Sequence, residues 1–116
     1  MENKYKEDRP WGTFEILHEE DKLKVKRIVV KPGKRLSLQS HQHRSENWII
    51  IGGQAIVTLE ENQIPLSPNQ SVFIPANAKH RISNSGIEDV VFVEVQTGSY
   101  LGEDDIIRYE DDFSRV

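Results

Sequence analysis

The stretch GKRLSLQSHQHRSENWIIIGG, residues 33–53, is the part of the sequence from which both the fold and the chemistry of this chain are predicted. It holds two of the chain's four histidines, His41 and His43, with Gln39 before them and Glu46 after them. No other part of the sequence places two histidines so close together. The stretch is therefore a candidate metal site.

The same stretch has an alternating pattern. Successive side chains of a strand point to opposite faces, so Leu36 and Leu38 share an apolar face. The opposite face is entirely polar and carries Arg35, Ser37, Gln39, His41 and His43. Two structures fit this pattern. The polar face either meets solvent, as in many antiparallel sheets, or lines a barrel interior where the ligands converge on a metal ion.

Composition limits the alternatives. The 116 residues predict one domain, spanning 1–116. The absence of cysteine leaves only nitrogen and oxygen ligands for a metal. A net charge of −4 argues against nucleic-acid or anionic-membrane partners. The longest apolar runs have four residues, too short to span a bilayer, and the charged N-terminus does not resemble a secretory signal. We therefore expect a cytoplasmic protein.

Short strands separated by turn residues are expected along most of the chain. No segment before residue 100 has helical periodicity, and this spacing predicts an all-β sandwich or barrel. Residues 1–10 are expected to be flexible. The acidic tail, 98–116, fits either a short helix or an edge strand. The expected strands lie at 14–17, 22–30, 35–43, 48–51, 54–60, 63–66, 71–74, 80–84 and 90–96.

A second group of residues follows the spacing Asn69-x5-Pro75-x-Asn77-x2-His80-x3-Asn84. Alone, His80 would be an ordinary histidine. Combined with the first stretch, it gives two or three nitrogen and two oxygen ligands, a set that suits zinc, manganese, cobalt, nickel or iron.

The two spacings resemble the two signature motifs of the cupin superfamily. Gln39 stands where the first motif usually has histidine, and Asn69 and Asn77 stand where the second usually has glycine. Asparagine tolerates positive φ angles, so both turns stay plausible. The resemblance implies a cupin double-stranded β-helix, a jelly-roll barrel.

Nearly the whole chain is similar to the type II phosphomannose isomerase domain. In that family the domain is usually the C-terminal part of a bifunctional enzyme whose N-terminal part is a mannose-1-phosphate guanylyltransferase. The similarity rests on RPWG (9–12), KPGKRLSLQSHQHRSENW (31–48), LSPNQSVFIPANAKHRISN (66–84) and VEVQTGSYLGEDDIIRYEDDFSR (93–115).

By matching motif positions, the resemblance implies that one divalent metal ion is held by Gln39, His41, Glu46 and His80. Zinc is expected, with manganese, cobalt or nickel as alternatives. Spacing alone permits a rival set in which His43 replaces Gln39. Glu46 has an alternative role in orienting a histidine.

The implied reaction interconverts mannose 6-phosphate and fructose 6-phosphate through a cis-enediol. It requires a Lewis acid, a base that moves a proton between C1 and C2, and cations for the phosphate. His43 is the first candidate for the base and Glu94 the second. Glu94 shares a strand face with Phe92 and Gln96.

Arg44 is similar to the arginine of the family's H-x-H-R-x-E segment and is assigned to phosphate or enediolate stabilisation. The further candidates for substrate binding are Arg35, Gln96 and Arg108, and the weaker ones are Lys79 and Arg81. Trp11 and Trp48 are expected in the core or an interface.

Two other functions remain open from the sequence. One is a non-catalytic sugar-binding or assembly module that partners a separate guanylyltransferase, and the other is a different cupin chemistry such as oxygenation or epimerisation. A homodimer is expected from the superfamily.

Overall fold

The computed structural model describes residues 5–115, and these form strands joined by turns and loops, with no helix in that range. The strands are β1 (Tyr5–Arg9), β2 (Gly12–Glu20), β3 (Leu23–Val30), β4 (Leu38–Ser40), β5 (Arg44–Gly52), β6 (Ala55–Leu59), β7 (Asn62–Leu66), β8 (Ser71–Ile74), β9 (His80–Ser83), β10 (Val90–Gly98) and β11 (Ile107–Glu110).

Two antiparallel sheets face each other. The six-stranded sheet has the order β1-β2-β3-β10-β5-β8, and the five-stranded sheet has the order β11-β4-β9-β6-β7. The all-β prediction is therefore confirmed. The stretch 33–53 contributes β4 to one sheet and β5 to the other, so its polar side chains can meet across the interior.

The inward-facing residues change from apolar to polar along two neighbouring strands. On β5, Ile50 and Trp48 are buried in the apolar core, and Glu46 follows on the same face. On β10, Phe92 is followed in the same way by Glu94. Burying carboxyl groups costs free energy unless they gain partners. This end of the barrel is therefore a candidate functional site.

Two turns in the second group of residues, 69–84, have the backbone conformation that the motif spacing predicts. Asn69 has a φ of 73° and Asn77 a φ of 71°, in the left-handed region that asparagine tolerates. Gly53 also has a positive φ, and a Cβ there would lie 2.4 Å from the Asp89 carbonyl oxygen. Only glycine fits this hairpin without displacing the backbone.

The N-terminal segment differs from its expectation, and the C-terminal tail takes one of its two expected forms. Residues 5–9, expected to be flexible, form β1 and pair with β2 from Tyr5 opposite Ile16 to Arg9 opposite Gly12. Residues 1–4 lie outside the described range. The C-terminal tail forms the edge strand β11, which pairs with β4.

No helix long and apolar enough to cross a membrane occurs in the described part of the chain.

Candidate metal centre

A cavity of about 120 Å³ lies between the sheets at the polar end of the barrel, and His41, Glu46 and His80 line it. Glu46 is on β5, His80 begins β9, and His41 lies in the connection from β4 to β5. One ligand atom from each lies within 4.8 Å of the other two, and all three residues are buried. Two consecutive elements and one distant in sequence thus bring one nitrogen–oxygen cluster together.

Backbone carbonyls orient both histidines. The Nδ1 atom of His41 donates to the carbonyl oxygen of Asp105 at 2.8 Å, and Nδ1 of His80 donates to that of Ala78 at 2.9 Å. Because a carbonyl oxygen only accepts, Nδ1 carries the proton in each ring and the Nε2 lone pair is exposed to the cluster. Such hydrogen bonds fix the tautomer that a metal-binding histidine needs.

Burial keeps both rings neutral. The pKa of His41 is lowered to about 4, mainly by desolvation; Glu46 opposes the shift and the Arg44 guanidinium adds to it. Desolvation also lowers the pKa of His80. Neutral imidazole is the form that binds a metal ion.

Glu46 is buried and ionised. Burial alone would raise its pKa, but positive neighbours outweigh burial and lower it to about 2. His80 and His41 contribute only where their rings are protonated, whereas the Arg44 guanidinium is charged at every relevant pH. Arg44 Nε donates to Glu46 Oε2 at 2.8 Å, and Trp48 Nε1 donates to Oε1 at 2.8 Å. Arg44 and Trp48 do not titrate near neutral pH, so they are the neighbours that keep the carboxylate charged.

The donor set fits a divalent ion. It combines two imidazole nitrogens with a carboxylate, the ligand types of zinc and of the first-row metals near it. Gln39 also lines the cavity and lies opposite His80 in the pairing of β4 with β9. Ser37 holds the Gln39 side chain, accepting from its Nε2 at 3.0 Å through Oγ. The four predicted ligands are therefore in one cavity.

Arg44 is adjacent to this cluster. Besides its bond to Glu46, its Nη2 donates to His41 Nε2 at 3.2 Å. The guanidinium is buried and lines the cavity. Its permanent positive charge therefore lies beside the cluster, on the cavity in which a bound molecule would lie.

Glu94 faces the same cavity, on the face of β10 that it shares with Phe92. Burial raises its pKa to about 8, and the charge of Glu46 adds to that effect while Lys26 and Arg44 oppose it. Gln96 is fully buried beyond it and donates from Nε2 to Glu94 Oε2 at 2.5 Å. Gln96 is not among the residues lining the cavity, so it orients Glu94.

Two predicted site residues lie outside the cavity. His43 was expected on the same face as His41, but β4 ends at Ser40 and the chain bends at residues 42 and 43, which ends the alternation. Its side chain is 51% exposed, with Nδ1 3.4 Å from Asp105 Oδ1. Arg35 is also exposed, and it pairs with Asp112 at 2.8 Å. Both placements correct the sequence-based expectation.

The remaining basic candidates for substrate binding also lie partly inside and partly outside the cavity. Arg81 and Arg108 line the cavity, whereas Lys79 is exposed with its Nζ 4.4 Å from the centre of the Tyr109 ring. Trp11 and Trp48 belong to the core, as expected.

Sequence reasoning missed the loop between β10 and β11. The Asp105 carboxylate accepts from the backbone N–H groups of Gln42 and His43 at 3.0 and 2.9 Å. The Glu103 carboxylate accepts from Lys26 Nζ at 3.0 Å. The acidic run GEDD carries no spacing signal that separates these anchors from ordinary surface acids. Arg9, Lys26 and Arg115, which also line the cavity, had no such signal either.

Two facing antiparallel sheets around a cavity with a His–Glu–His cluster define a cupin-type double-stranded β-helix protein. A conserved protein with a double-stranded β-helix domain from Klebsiella pneumoniae superposes with a TM-score of 0.72 at 22% identity, covering 83% of this chain and 77% of that one. The cupin domain of Schizosaccharomyces pombe Cnp3 superposes with a TM-score of 0.68 at 16% identity, covering 73% of this chain and 64% of that one. The predicted fold class is therefore confirmed.

Residues 1–111 match the family described as mannose-6-phosphate isomerase C-terminal, and the chain belongs to this family. The xanthan biosynthesis protein XanB of Xanthomonas campestris is 50% identical over 93% of this chain and 23% of its own length. The mannose-1-phosphate guanylyltransferase of Salmonella muenchen is 47% identical over 88% of this chain and 22% of its own length. The chain therefore spans about a fifth of the length of these relatives.

Proposed function

We propose that this chain is a metal-dependent aldose–ketose isomerase that interconverts mannose 6-phosphate and fructose 6-phosphate. The observation that carries the proposal is the buried His41–Glu46–His80 cluster, in which both histidines are held with Nε2 free of a proton. Membership of the mannose-6-phosphate isomerase C-terminal family supports the substrate.

His41, Glu46 and His80, with Gln39 as the fourth ligand, would hold one divalent ion, for which zinc is our first expectation. When bound, the ion supplies a Lewis acid that stabilises negative charge on the oxygens of the enediolate. The chain itself excludes solvent from the cluster, since the side chains of His41, Glu46 and His80 are buried.

Glu94 is our candidate for the group that moves the proton between C1 and C2. It lines the cavity, and its pKa of about 8 is close enough to neutral pH for it to accept and return a proton. Gln96 orients the carboxyl group. His43, exposed and outside the cavity, is not proposed for this role.

Arg44 is proposed to stabilise the enediolate. Its guanidinium is held by Glu46 and reaches His41, so it lies beside the ligands rather than at the periphery of the cavity. A fixed charge aimed at the position where negative charge develops stabilises the transition state.

The charge of the cavity supports an anionic substrate. Six cationic and three carboxylate side chains line it, although the whole chain has a net charge of −4. The cations are Arg9, Lys26, Arg44, Arg81, Arg108 and Arg115.

The proposal is tested by adding mannose 6-phosphate to metal-loaded protein and following fructose 6-phosphate. The wild-type chain should turn over, and Glu94→Gln should lose roughly 100- to 10,000-fold in kcat while keeping stoichiometric metal. His43→Ala is the matched control, and it should keep activity within about threefold. If His43→Ala loses activity and Glu94→Gln does not, the proposed base is wrong.

The alternative is a non-catalytic module that partners a separate mannose-1-phosphate guanylyltransferase. The size of the matched relatives favours it, since one of them is named a mannose-1-phosphate guanylyltransferase and is several times longer than this chain. Absence of turnover with zinc, manganese, cobalt and nickel would leave this alternative. The cytoplasmic location and the homodimer stay predictions.

A further inference from the structure

We propose that Arg108, together with Arg9 and Arg115, forms the subsite that binds the phosphate group of the substrate. The C-terminal residues 107–115 would then be part of the active site rather than an accessory tail. This inference rests on the proposed function, and it assigns the phosphate to a place separate from the metal centre.

Arg108 carries an unpaired donor. Its side chain lines the cavity, and its Nε atom is buried without a hydrogen-bond partner. A buried donor without a partner costs free energy, and native structures contain few of them. An anion bound in the cavity would satisfy this N–H group.

Two further guanidinium groups, those of Arg9 and Arg115, line the same cavity as Arg108. Burial lowers the pKa of Arg108, and the neighbouring charges of Arg115 and Arg9 lower it further, while Asp111 and Glu103 oppose the shift. Arg9 pairs with Glu7, and Arg115 pairs with Asp111, whereas the Nε atom of Arg108 lacks any partner. Three guanidinium groups that converge on one cavity repel each other, and a dianion such as phosphate removes that repulsion.

The position of Arg108 suits a substrate that also reaches the metal centre. Arg108 pairs in register with Gln39 across β11 and β4, and Gln39 pairs with His80 across β4 and β9. A hexose 6-phosphate carries its phosphate at the end of the carbon chain away from C1 and C2. It therefore needs cations at one side of the ligand cluster, which is where Arg108 lies.

The other cavity arginines are less suited to this role. The Nε and Nη2 donors of Arg44 are directed at Glu46 and His41. Arg81 also has a buried donor without a partner, Nη2, but its Nε donates to the carbonyl oxygen of Leu36 and its Nη1 to Glu110. These two bonds anchor the side chain, and the second fastens β11 to the barrel. Arg81 thus helps to hold in place the strand that carries Arg108.

The test measures binding and needs no turnover. Metal-loaded wild type, Arg108→Gln and Arg27→Gln would each be titrated calorimetrically with inorganic phosphate and with mannose 6-phosphate at one fixed ionic strength. Arg27 is an exposed arginine of β3 that does not line the cavity, so it matches the charge change. Metal content, measured on every sample, reports whether each variant keeps its fold and metal centre.

We expect Arg108→Gln to weaken both ligands roughly 10- to 100-fold and to keep its metal, with Arg27→Gln close to wild type. Arg108→Lys should recover only part of the loss, because lysine restores the charge but not the planar pair of donors. In the isomerase assay, Arg108→Gln should raise KM by a similar factor with little change in kcat.

The outcomes separate the two proposals. If the wild type binds phosphate through Arg108 but does not isomerise the sugar, the subsite stands and the proposed function fails. If Arg108→Gln, with its metal retained, binds mannose 6-phosphate as tightly as the wild type, the subsite is refuted. Failure of the wild type to bind either phosphate or mannose 6-phosphate refutes it equally.

Discussion

Residues 33–53 and residues 99–115 build the same cavity by different means. The first region contributes Gln39, His41 and Glu46, which lie on neighbouring strands and the turn between them. The second contributes no atom to the His–Glu–His cluster. It contacts the first region through hydrogen bonds of Asp105 and Asp112.

The difference separates two tasks. The first region provides donor atoms from β4, from β5 and from the short connection that carries the chain from one sheet to the other. The second covers that region and orients it, because the Asp105 carbonyl fixes His41 and the Asp105 carboxylate fixes the backbone at Gln42 and His43. The cavity therefore depends on both, although only one would touch the metal.

The largest expected effect comes from removing a ligand in the first region. His41→Ala should weaken metal binding by more than about 100-fold, beyond the 10–100-fold typical of outer contacts, and should abolish isomerisation. His43→Ala removes a histidine two residues away that the structure places outside the cavity. Titration with zinc against a chromophoric chelator measures both affinities.

A His41→Ala protein that retains stoichiometric tight metal would refute the ligand set. If both variants lose metal equally, the rival set that includes His43 would be favoured.

The next effect tests the second region through Asp105. Asp105→Ala removes the acceptor for two backbone N–H groups and frees the loop whose carbonyl orients His41, so metal affinity should fall by roughly 10- to 100-fold. Asp105→Asn keeps one acceptor oxygen and should lie between wild type and Asp105→Ala. The same zinc titration measures the metal affinity of both variants. Unchanged affinity in Asp105→Ala would mean that the second region covers the first without orienting its ligands.

The sequence predicted the first region well and the second poorly, for physical reasons. Alternation groups Gln39 with His41 on one face, because strand geometry repeats every two residues, and the choice of Gln39, His41 and Glu46 as ligands follows from the resemblance to the family's motifs. The same rule failed at His43, where the strand had already ended. Asp105, Arg9 and Arg115 act through contacts with residues far away in the chain, and such contacts leave no periodic signal in one sequence.

A third prediction concerns Glu94, on β10, in the protein without metal. The pKa of Glu94 is about 8 in the folded protein against an ordinary value of 4.5, so the folded state keeps a proton that the unfolded chain has lost. The free energy of unfolding should therefore fall as pH rises from about 4.5 to about 8. Glu94→Gln lacks this dependence and should gain on the order of 4 kcal/mol relative to wild type between pH 5 and pH 9.

Urea unfolding at a series of pH values measures this difference. Glu61→Gln, at an exposed position, is the matched control. A wild-type profile parallel to that of Glu94→Gln from pH 5 to pH 9 would show that Glu94 is not held protonated by burial.

The smallest effect is expected at the exposed contact between the two regions. Arg35 donates to Asp112 through Nε at 2.8 Å and through Nη2 at 2.9 Å, and the two side chains are 44% and 42% exposed. Solvent screens such a pair, and side-chain ordering offsets its attraction, so a double-mutant cycle of Arg35→Gln with Asp112→Asn should give a coupling below about 1 kcal/mol. The coupling should shrink further in about 1 M salt, where the screening length is near 3 Å. Because Arg35 lies outside the cavity, Arg35→Gln should leave KM for mannose 6-phosphate unchanged. A KM raised tenfold by Arg35→Gln would return this residue to the substrate site and extend that site to the outer surface of the C-terminal region.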